Sequence, residues 1–363
     1  MMELAKPKSN VVCTGCGCLC DDIEPVSFAR ACTLGREYLQ SLIKGKWTVQ
    51  RITKGDDKSR LAPLNQLQRA EAPGILGLHL VSVETVEAAV MLAQSLNAWL
   101  SPWPADPIRF WGHQAPDLGM SRAEVEQAAD LVLFIGFPQG VDAVQPRFRE
   151  RHLQRGLGLG RRQIDINWPE ATRLQQVMEL RRALKGTTDT DLAQAIRAAK
   201  CVQIYVLAQL ASEAPEYITH WQHLAAQQRA HRRMGLTLLG ATGKARTVTE
   251  ALTWRTGYPG PLRFQQGMPQ YLPHVGEVEA LLERGALDTI LWVGLDPEPL
   301  WQQHPHWQRE GITEFVITSG LSPTLDAHVV RGDGVMLRLA GNGPGTPDPL
   351  AEILHSWARE AKR

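Results

Sequence analysis

The chain has 363 residues, of which 44% are hydrophobic and 21% are charged, values that are ordinary for a soluble globular protein. This length allows two or three domains, each with its own core. The formal net charge of +1 excludes a strong field that would attract nucleic acid or an anionic membrane. The first ten residues contain no hydrophobic signal segment, and no hydrophobic run approaches the roughly 18 residues that span a bilayer. We therefore expect a cytoplasmic protein with no nucleic-acid or membrane partner.

The N-terminal part of the chain is dominated by cysteine. Five of the 6 cysteines lie between residues 13 and 32, and Cys13, Cys16, Cys20 and Cys32 have the spacing C-x2-C-x3-C-x11-C, with Cys18 as a spare. Uneven spacing of this kind favours an iron–sulfur cluster such as [4Fe–4S]. A zinc site with four cysteine ligands and a site that has lost its metal are the alternatives. Disulfides are disfavoured because nothing in the sequence indicates export.

After this Cys-rich module (residues 1–51) and a polar, proline-containing linker (52–73), hydrophobic strands alternate with amphipathic helices. Helices are predicted from residues 83, 121, 190, 216, 276 and 350 onward. At the second of these, Ser121 and Glu124 have the spacing of a capping box. Strands are predicted at 74–82, 107–111, 130–135, 162–166, 201–208, 234–240, 287–293 and 314–320. Such alternation is typical of βαβ units with a largely parallel sheet. We predict an α/β protein with one domain at 74–185, a second at 186–325 and a C-terminal segment at 326–363.

Two segments of the chain have the same pattern. AADLVLFIGFPQG (128–140) and ALDTILWVGLDPE (286–298) each contain an acidic residue, a hydrophobic strand and then a glycine, Gly136 or Gly294. In open α/β sheets ligands bind beyond the carboxyl ends of the strands. The two glycines are therefore candidates for binding a cofactor, and ordinary strand-to-loop turns are an equal alternative.

The other candidate residues favour structural roles. Cys201, in a hydrophobic strand, is predicted to be a buried core thiol. His220 and His223 are one turn apart on a predicted helix but have no third ligand nearby in the sequence. The pair Asp21–Asp22 is expected to cap a helix or bond a neighbouring loop. The segment 251–274 is predicted to be a packed loop, and no common nucleotide, zinc-protease or serine-hydrolase motif is present.

Several of these segments resemble one known family. CTGCGCLCDDIE followed by ACTLG is similar to the N-terminal iron–sulfur motif in the B subunit of formylmethanofuran dehydrogenase, of the molybdopterin oxidoreductase (formate dehydrogenase/DMSO reductase) superfamily. The segments 128–152 and 251–298 also look like parts of that family. The resemblance implies Rossmann-like parallel sheets with a small N-terminal Cys-rich module, and it implies cluster ligation by Cys13, Cys16, Cys20 and Cys32.

The chain departs from this family at the position that matters for redox chemistry. The resemblance implies a cysteine or selenocysteine ligand to molybdenum or tungsten in the turn after the first core strand. The corresponding sequence in this chain is LVSVETVEAA, with Val83 at the position of the metal ligand. The chain is also shorter, and residues 326–342 look like a collapsed form of the last cofactor-binding region. We therefore expect no molybdopterin or tungstopterin, and no redox chemistry.

This pattern resembles the B subunits of the formyltransferase/hydrolase complexes of methylotrophic bacteria. That resemblance implies a structural subunit in tetrahydromethanopterin- and methanofuran-linked C1 metabolism, which oxidises formaldehyde to formate. The partners implied are an amidohydrolase-like subunit, a formyltransferase subunit and a glutamate-synthase-like subunit. An active formylmethanofuran dehydrogenase B subunit with a pterin cofactor and a [4Fe–4S] cluster is the alternative, and a stand-alone zinc or iron–sulfur protein is a third.

Overall fold

The computed structural model describes most of the chain after residue 60. The described residues are 50–53, 61–103, 119–137, 162–186, 189–207, 213–239, 245–308, 311–318, 325–340 and 345–362, with residues 210 and 321. Within the N-terminal 49 residues they are 10, 12–14, 20, 21, 23, 24, 31, 35, 36, 39 and 40. The strand predicted at 107–111 lies outside them.

The described strands and helices alternate along most of the chain. The strands are β1 (Gln50–Thr53), β2 (Pro73–Gly77), β3 (Trp99–Pro102), β4 (Leu131–Ile135), β5 (Arg162–Ile166), β6 (Cys201–Leu207), β7 (Arg233–Leu239), β8 (Leu262–Gln265), β9 (Met268–Tyr271), β10 (Thr289–Val293), β11 (Thr313–Thr318), β12 (Leu325–Asp326), β13 (His328–Val330), β14 (Met336–Arg338) and β15 (Thr346–Pro347). The α-helices are α1 (Ala62–Arg69), α2 (Val83–Leu96), α3 (Arg122–Ala128), α4 (Glu170–Leu184), α5 (Asp191–Ala198), α6 (Pro215–Gln228), α7 (Ala245–Thr256), α8 (Val278–Arg284), α9 (Glu298–Gln303) and α10 (Pro349–Ala361). A 3-10 turn spans Pro305–Trp307.

The chain divides into two compact units that are discontinuous in sequence. The first contains residues 1–109, 244–331 and 336–363, and the second contains residues 110–243 and 332–335. Each of the predicted domains at 74–185 and 186–325 contributes strands to both units. The chain therefore leaves the first unit after its early strands and returns to it later.

The first unit is built on a seven-stranded sheet of order β1-β11-β10-β2-β3-β8-β9. Its central strands β11, β10, β2 and β3 are parallel, and β1, β8 and β9 are antiparallel to their neighbours. β2 and β10 are far apart in sequence but pair with Ile75 opposite Leu291. Both are buried along their whole length, as expected for strands that helices cover on both sides.

The two faces of this sheet are covered by different helices. Successive side chains of a strand point to opposite faces, so Leu291 and Val293 contact one core while Ile290 and Trp292 contact the other. The first core holds residues of α1, α2, α7 and α10. The second holds residues of α8, α9 and the 3-10 turn, with Trp292 packed edge-on against the Trp301 ring at 5.6 Å. Trp307 of the 3-10 turn is buried in the same core.

The segment 251–274 is not the loop that its turn-forming residues suggested. It contains the last half of α7 and the hairpin of β8 and β9, which extends the sheet. Gln266 and Gly267 at the hairpin tip have φ of 51° and 76°, the pair of positive values that a type I′ turn requires. The end of α2 holds this tip, because Asn97 accepts a hydrogen bond from the Gly267 amide (3.1 Å) and Gln94 donates one to its carbonyl (2.9 Å).

The second unit contains a four-stranded parallel sheet of order β5-β4-β6-β7. The capping box predicted at Ser121 and Glu124 is present at the start of α3, and Cys201 is buried beside Met120, as predicted. Trp168 and Trp221 stack at 5.7 Å next to the buried Tyr217. The two sheets confirm the α/β class and its parallel strands. No helix among the described residues is long and hydrophobic enough to cross a membrane.

Candidate functional site

The turn that joins β2 to α2 has an unusual backbone. Leu78 and Leu80 both have φ of 55°, following Gly77 at 95°. Residues with side chains are uncommon in this left-handed region, and such strain is concentrated at turns with a functional or structural constraint. The predicted strand 74–82 therefore ends at Gly77, and residues 78–82 form a loop at the carboxyl edge of the seven-stranded sheet, the edge where α/β proteins bind ligands.

Gly294 lies at the same edge, at the end of β10. Its φ is 70°, and a Cβ atom added to it would be 2.2 Å from the carbonyl oxygen of His79 and 2.5 Å from Cγ1 of Val81. The loop after β2 therefore passes so close to Gly294 that only glycine fits. Gly136, in the second unit, has φ of 78°, and its added Cβ would be 2.3 Å from Cδ1 of Leu210. Close contacts with other protein atoms explain why both positions are glycine. A role of Gly136 and Gly294 in cofactor binding stays a prediction.

Val83 is the first residue of α2 and is buried in the hydrophobic core of the first unit. The preceding residue, Ser82, is the N-cap, and its side chain accepts a hydrogen bond from the Thr85 amide at 3.0 Å. A branched alkyl side chain in a packed core offers no lone pair to a metal. This position does not fit a molybdenum or tungsten ion that needs a protein thiolate.

A carboxylate from the far end of the chain reaches the same turn. Asp348, which is 6% exposed, accepts hydrogen bonds on Oδ2 from the hydroxyls of Ser82 (2.5 Å) and Thr85 (2.8 Å). Its Oδ1 accepts a bond from the Leu350 amide at 3.0 Å, so Asp348 is also the N-cap of α10. Asp348 was not among the residues predicted from the sequence, although an Asp directly before Pro349 is a signal for a helix cap. Nothing in the sequence points to the contact with Ser82.

Strand β13 links this turn to other parts of the first unit. Glu84, in the first turn of α2, accepts a hydrogen bond from the His328 amide (2.9 Å) and pairs with His328 Nδ1 (2.5 Å). At the other end of β13, the Val330 amide donates to Thr247 of α7 at 2.9 Å. The segment 326–342, predicted to be a collapsed cofactor region, is thus tied to α2 and α7 through its first strand.

The Cys-rich segment is described at Cys13 and Cys20, both buried. The Cys13 amide donates to the Cys20 carbonyl at 2.8 Å, so the backbones of these two residues lie side by side. We call Cys13, Thr14, Cys20 and Asp21 the cysteine loop. Thr14 donates to the Leu321 carbonyl at 3.0 Å, and Val12 packs in a cluster with Leu321 and residues of β12 to β14. Cys16, Cys18 and Cys32 lie outside the described residues. This bond brings the backbones of two of the four predicted ligands together, which fits a metal or cluster site.

An ion pair ties the cysteine loop to β13. Arg331, which directly follows that strand and is 6% exposed, donates to Asp21 Oδ2 at 3.3 Å. Asp21 therefore bonds a neighbouring segment, one of the two roles predicted for it, and Asp22 lies outside the described residues. Since β13 also bonds Glu84, the structure places the cysteine loop and the turn that carries Val83 on contacts with the same strand.

The histidine pair of α6 has a different environment from a metal site. His220 Nδ1 lies 2.7 Å from the Arg181 guanidinium. Burial lowers the pKa of His220, and the charges of Arg181 and His223 lower it further. Among the described residues, no group of three His, Cys, Asp or Glu side chains could hold a metal ion. A groove of about 510 Å³ in the second unit is lined mainly by polar residues of α4 and the start of α5.

No protein-family model matches the chain, but individual proteins do. The B subunit of tungsten-containing formylmethanofuran dehydrogenase 2 from Methanocaldococcus jannaschii is 24% identical over 355 residues, which cover 81% of this chain and 80% of that protein. The protein of the same name from Methanococcus maripaludis is 24% identical over 360 residues with the same coverage. The resemblance predicted from the cysteine motif and from residues 251–298 is confirmed.

A solved structure has the same fold. A chain in the X-ray crystal structure of the formyltransferase/hydrolase complex of Methylorubrum extorquens with methylofuran matches with a TM-score of 0.67 and 18% identity. The match covers 86% of this chain and 98% of that chain. Because the match covers nearly all of that chain, the two chains share the same fold.

Proposed function

We propose that this chain is the B subunit of a cytoplasmic formyltransferase/hydrolase complex in C1 metabolism, and that it is structural rather than redox-active. The observation that carries the proposal is Val83. The chain has the fold of a subunit from such a complex and 24% identity to tungsten-containing dehydrogenase subunits, yet a buried alkyl group stands at the position inferred for the metal ligand. The redox cofactor carries the hard chemistry in such enzymes, so its loss leaves an assembly role.

Under this proposal the reaction takes place on other subunits. The complex would move the formyl group from formyl-tetrahydromethanopterin to a methanofuran-type carrier and hydrolyse it to formate. A formyltransferase subunit would perform the transfer and an amidohydrolase-like subunit the hydrolysis, with a glutamate-synthase-like subunit as the third partner. This chain would hold these subunits together, and none of its own residues would contact the formyl group.

The finer fold assignment belongs to the same proposal. We propose a molybdopterin-oxidoreductase-like fold whose small Cys-rich module holds one [4Fe–4S] cluster through Cys13, Cys16, Cys20 and Cys32. Support comes from the burial of Cys13 and Cys20 and from the backbone bond between them. When bound, such a cluster supplies one-electron transfer and folding energy. The alternatives are a zinc ion in the same site and a site that has lost its metal.

The second candidate is an active B subunit of a formylmethanofuran dehydrogenase. It is favoured by the names of the two relatives, both tungsten-containing enzymes that align over four fifths of their length. This candidate requires a metal held without a protein thiolate at Val83. It predicts stoichiometric tungsten or molybdenum, which the structural role excludes.

The test is co-expression of the tagged chain with the three partner subunits, followed by anaerobic purification and elemental analysis. We expect a stable complex with formyl transfer and formate release, about four irons per chain and no molybdenum or tungsten. Replacing this chain by an empty vector should leave the other subunits unassembled. Stoichiometric tungsten or molybdenum with viologen-linked formate oxidation would establish the second candidate instead. If the chain is a monomer that binds none of the three partners, the assembly role is refuted.

A further inference from the structure

The N-terminal ends of two helices meet at the carboxylate of Asp348. Asp348 caps α10 through the Leu350 amide, and it bonds the N-cap and third residue of α2 through the hydroxyls of Ser82 and Thr85. Asp348 and Ser82 are 266 residues apart in sequence. One side chain thus joins the starts of a 14-residue and a 13-residue helix.

Among the described residues, no cationic side chain bonds the carboxylate of Asp348. In the described part of the chain, the groups that bond Asp348 are two hydroxyls and one backbone amide. A buried carboxylate needs compensation for its lost hydration. Here the positive ends of two helix dipoles can supply it, since each N-terminus carries roughly half a positive charge. The arrangement is that of an anion bound at a helix N-terminus, with the anion supplied by the protein.

The position of this carboxylate is the second part of the argument. The start of α2 follows the strained turn after β2, at the carboxyl edge of the sheet. A cofactor held there by its anionic groups would have to approach the start of α2. Asp348 already uses the hydroxyls of Ser82 and Thr85, and its negative charge would repel an anion.

The helix that follows Asp348, α10, packs against α2. Leu350, Leu354 and Trp357 of α10 are buried in one core with residues of α2. Val83 and Val86 belong to this core as well. The hydrogen bonds of Asp348 therefore fix the starting point of a helix that packs along the length of α2.

We propose that Asp348 is a built-in ligand, whose carboxylate is held by the hydroxyls at the start of α2 and fixes the start of α10 beside the edge of the sheet where a cofactor would bind. This inference goes beyond the proposed function, because it holds for whichever complex the chain joins. It makes Asp348 and Ser82 a coupled pair rather than two independent helix caps.

The test is chemical rescue in the purified full-length protein. Asp348→Ala removes the carboxylate and leaves a small polar space between the two helices. We expect its Tm to fall by about 5 °C or more, since one cap and two buried hydrogen bonds to a charged group are lost. Formate or acetate, compared with chloride at equal ionic strength, should restore part of this loss in the variant and leave the wild type unchanged.

A matched control and a second set of variants ensure that the experiment can contradict the proposal. Asp326→Ala removes an exposed carboxylate that pairs with Arg338, and it should neither lower Tm by more than about 1 °C nor respond to formate. If Asp348→Ala does not fold, Ser82→Ala, Asp348→Asn and the double variant replace it, and the losses in Tm should be clearly less than additive. Additive losses, a loss no larger than that of Asp326→Ala, or a loss that no small carboxylate restores would overturn the proposal.

Discussion

At the scale of single residues, His220 shows how partial burial and neighbouring charges affect stability. Its Nδ1 atom lies 2.7 Å from the Arg181 guanidinium. Burial, and then the charges of Arg181 and His223, lower the pKa of this histidine. The folded protein therefore favours the neutral ring, whereas the unfolded chain takes up a proton near pH 6.5.

The first prediction is that this histidine makes the second unit acid-sensitive. Below about pH 6.5 the unfolded state binds one more proton at His220 than the folded state, so stability falls as the pH decreases towards the lowered folded pKa. His220→Gln should flatten the dependence of the urea midpoint on pH in this window. Superimposable pH profiles of the variant and the wild type would contradict the prediction.

At the scale of elements, β13 is the connection between separate parts of the first unit. It bonds the start of α2 through Glu84, α7 through Thr247 and the cysteine loop through the Arg331–Asp21 pair. Arg331 is nearly inaccessible, whereas Asp21 is 39% exposed. The arginine is therefore a positioning residue, whose value lies in holding the loop from Cys13 to Cys20 against the rest of the unit.

The second prediction concerns this arginine. Arg331→Met keeps the packing of the side chain but removes the bond to Asp21, so the cysteine loop should open more often. Because 1.4 kcal/mol of local stability corresponds to a tenfold change in the open population, we expect alkylation of Cys13 and Cys20 to become about tenfold faster. The measurement is iodoacetamide labelling with mass-spectrometric assignment of each cysteine.

The matched control is Arg338→Met. Arg338 lies on β14, which pairs with β13, and the substitution breaks its ion pair with Asp326. Both members of that pair are substantially exposed, and exposed pairs contribute little to stability. Labelling of Cys13 and Cys20 should match the wild type in this variant. Equal acceleration by the two variants would mean that the ion pair with Asp21 does not position the loop.

At the scale of the whole molecule, features besides Val83 support the proposed loss of redox chemistry. Val83 lies in a core, Asp348 bonds the residues on either side of it, and α10 covers that core. Restoring a single ligand would leave the other obstacles in place.

The third prediction is that a restored thiol alone does not restore redox activity. Val83→Cys, in the assembled complex, should show no viologen-linked formate oxidation and should bind no tungsten or molybdenum, while formyl transfer continues at the wild-type rate. The new thiol should be protected from alkylation, because Val83 is 7% exposed. Formate oxidation by this variant would show that the cofactor position is still open.

The sequence by itself determined the features that depend on neighbouring residues. Periodicity indicated the α/β alternation, Ser121 and Glu124 indicated a capping box, and the spacing of the cysteines indicated a candidate cluster site. The identity of residue 83 is enough to exclude a thiolate at that position. Sequence missed the hairpin at Gln266 and Gly267, because turn-forming residues in an aromatic segment also suit a packed loop.

The tertiary structure decided everything that joins distant parts of the chain. It placed β2 beside β10, assigned the strands to two discontinuous units, and brought Asp348 to Ser82 and Arg331 to Asp21. A helix cap or a hydrophobic period is fixed by atoms a few residues away. Strand order and buried polar contacts are fixed by which hydrophobic faces pack together, and that depends on the whole chain at once.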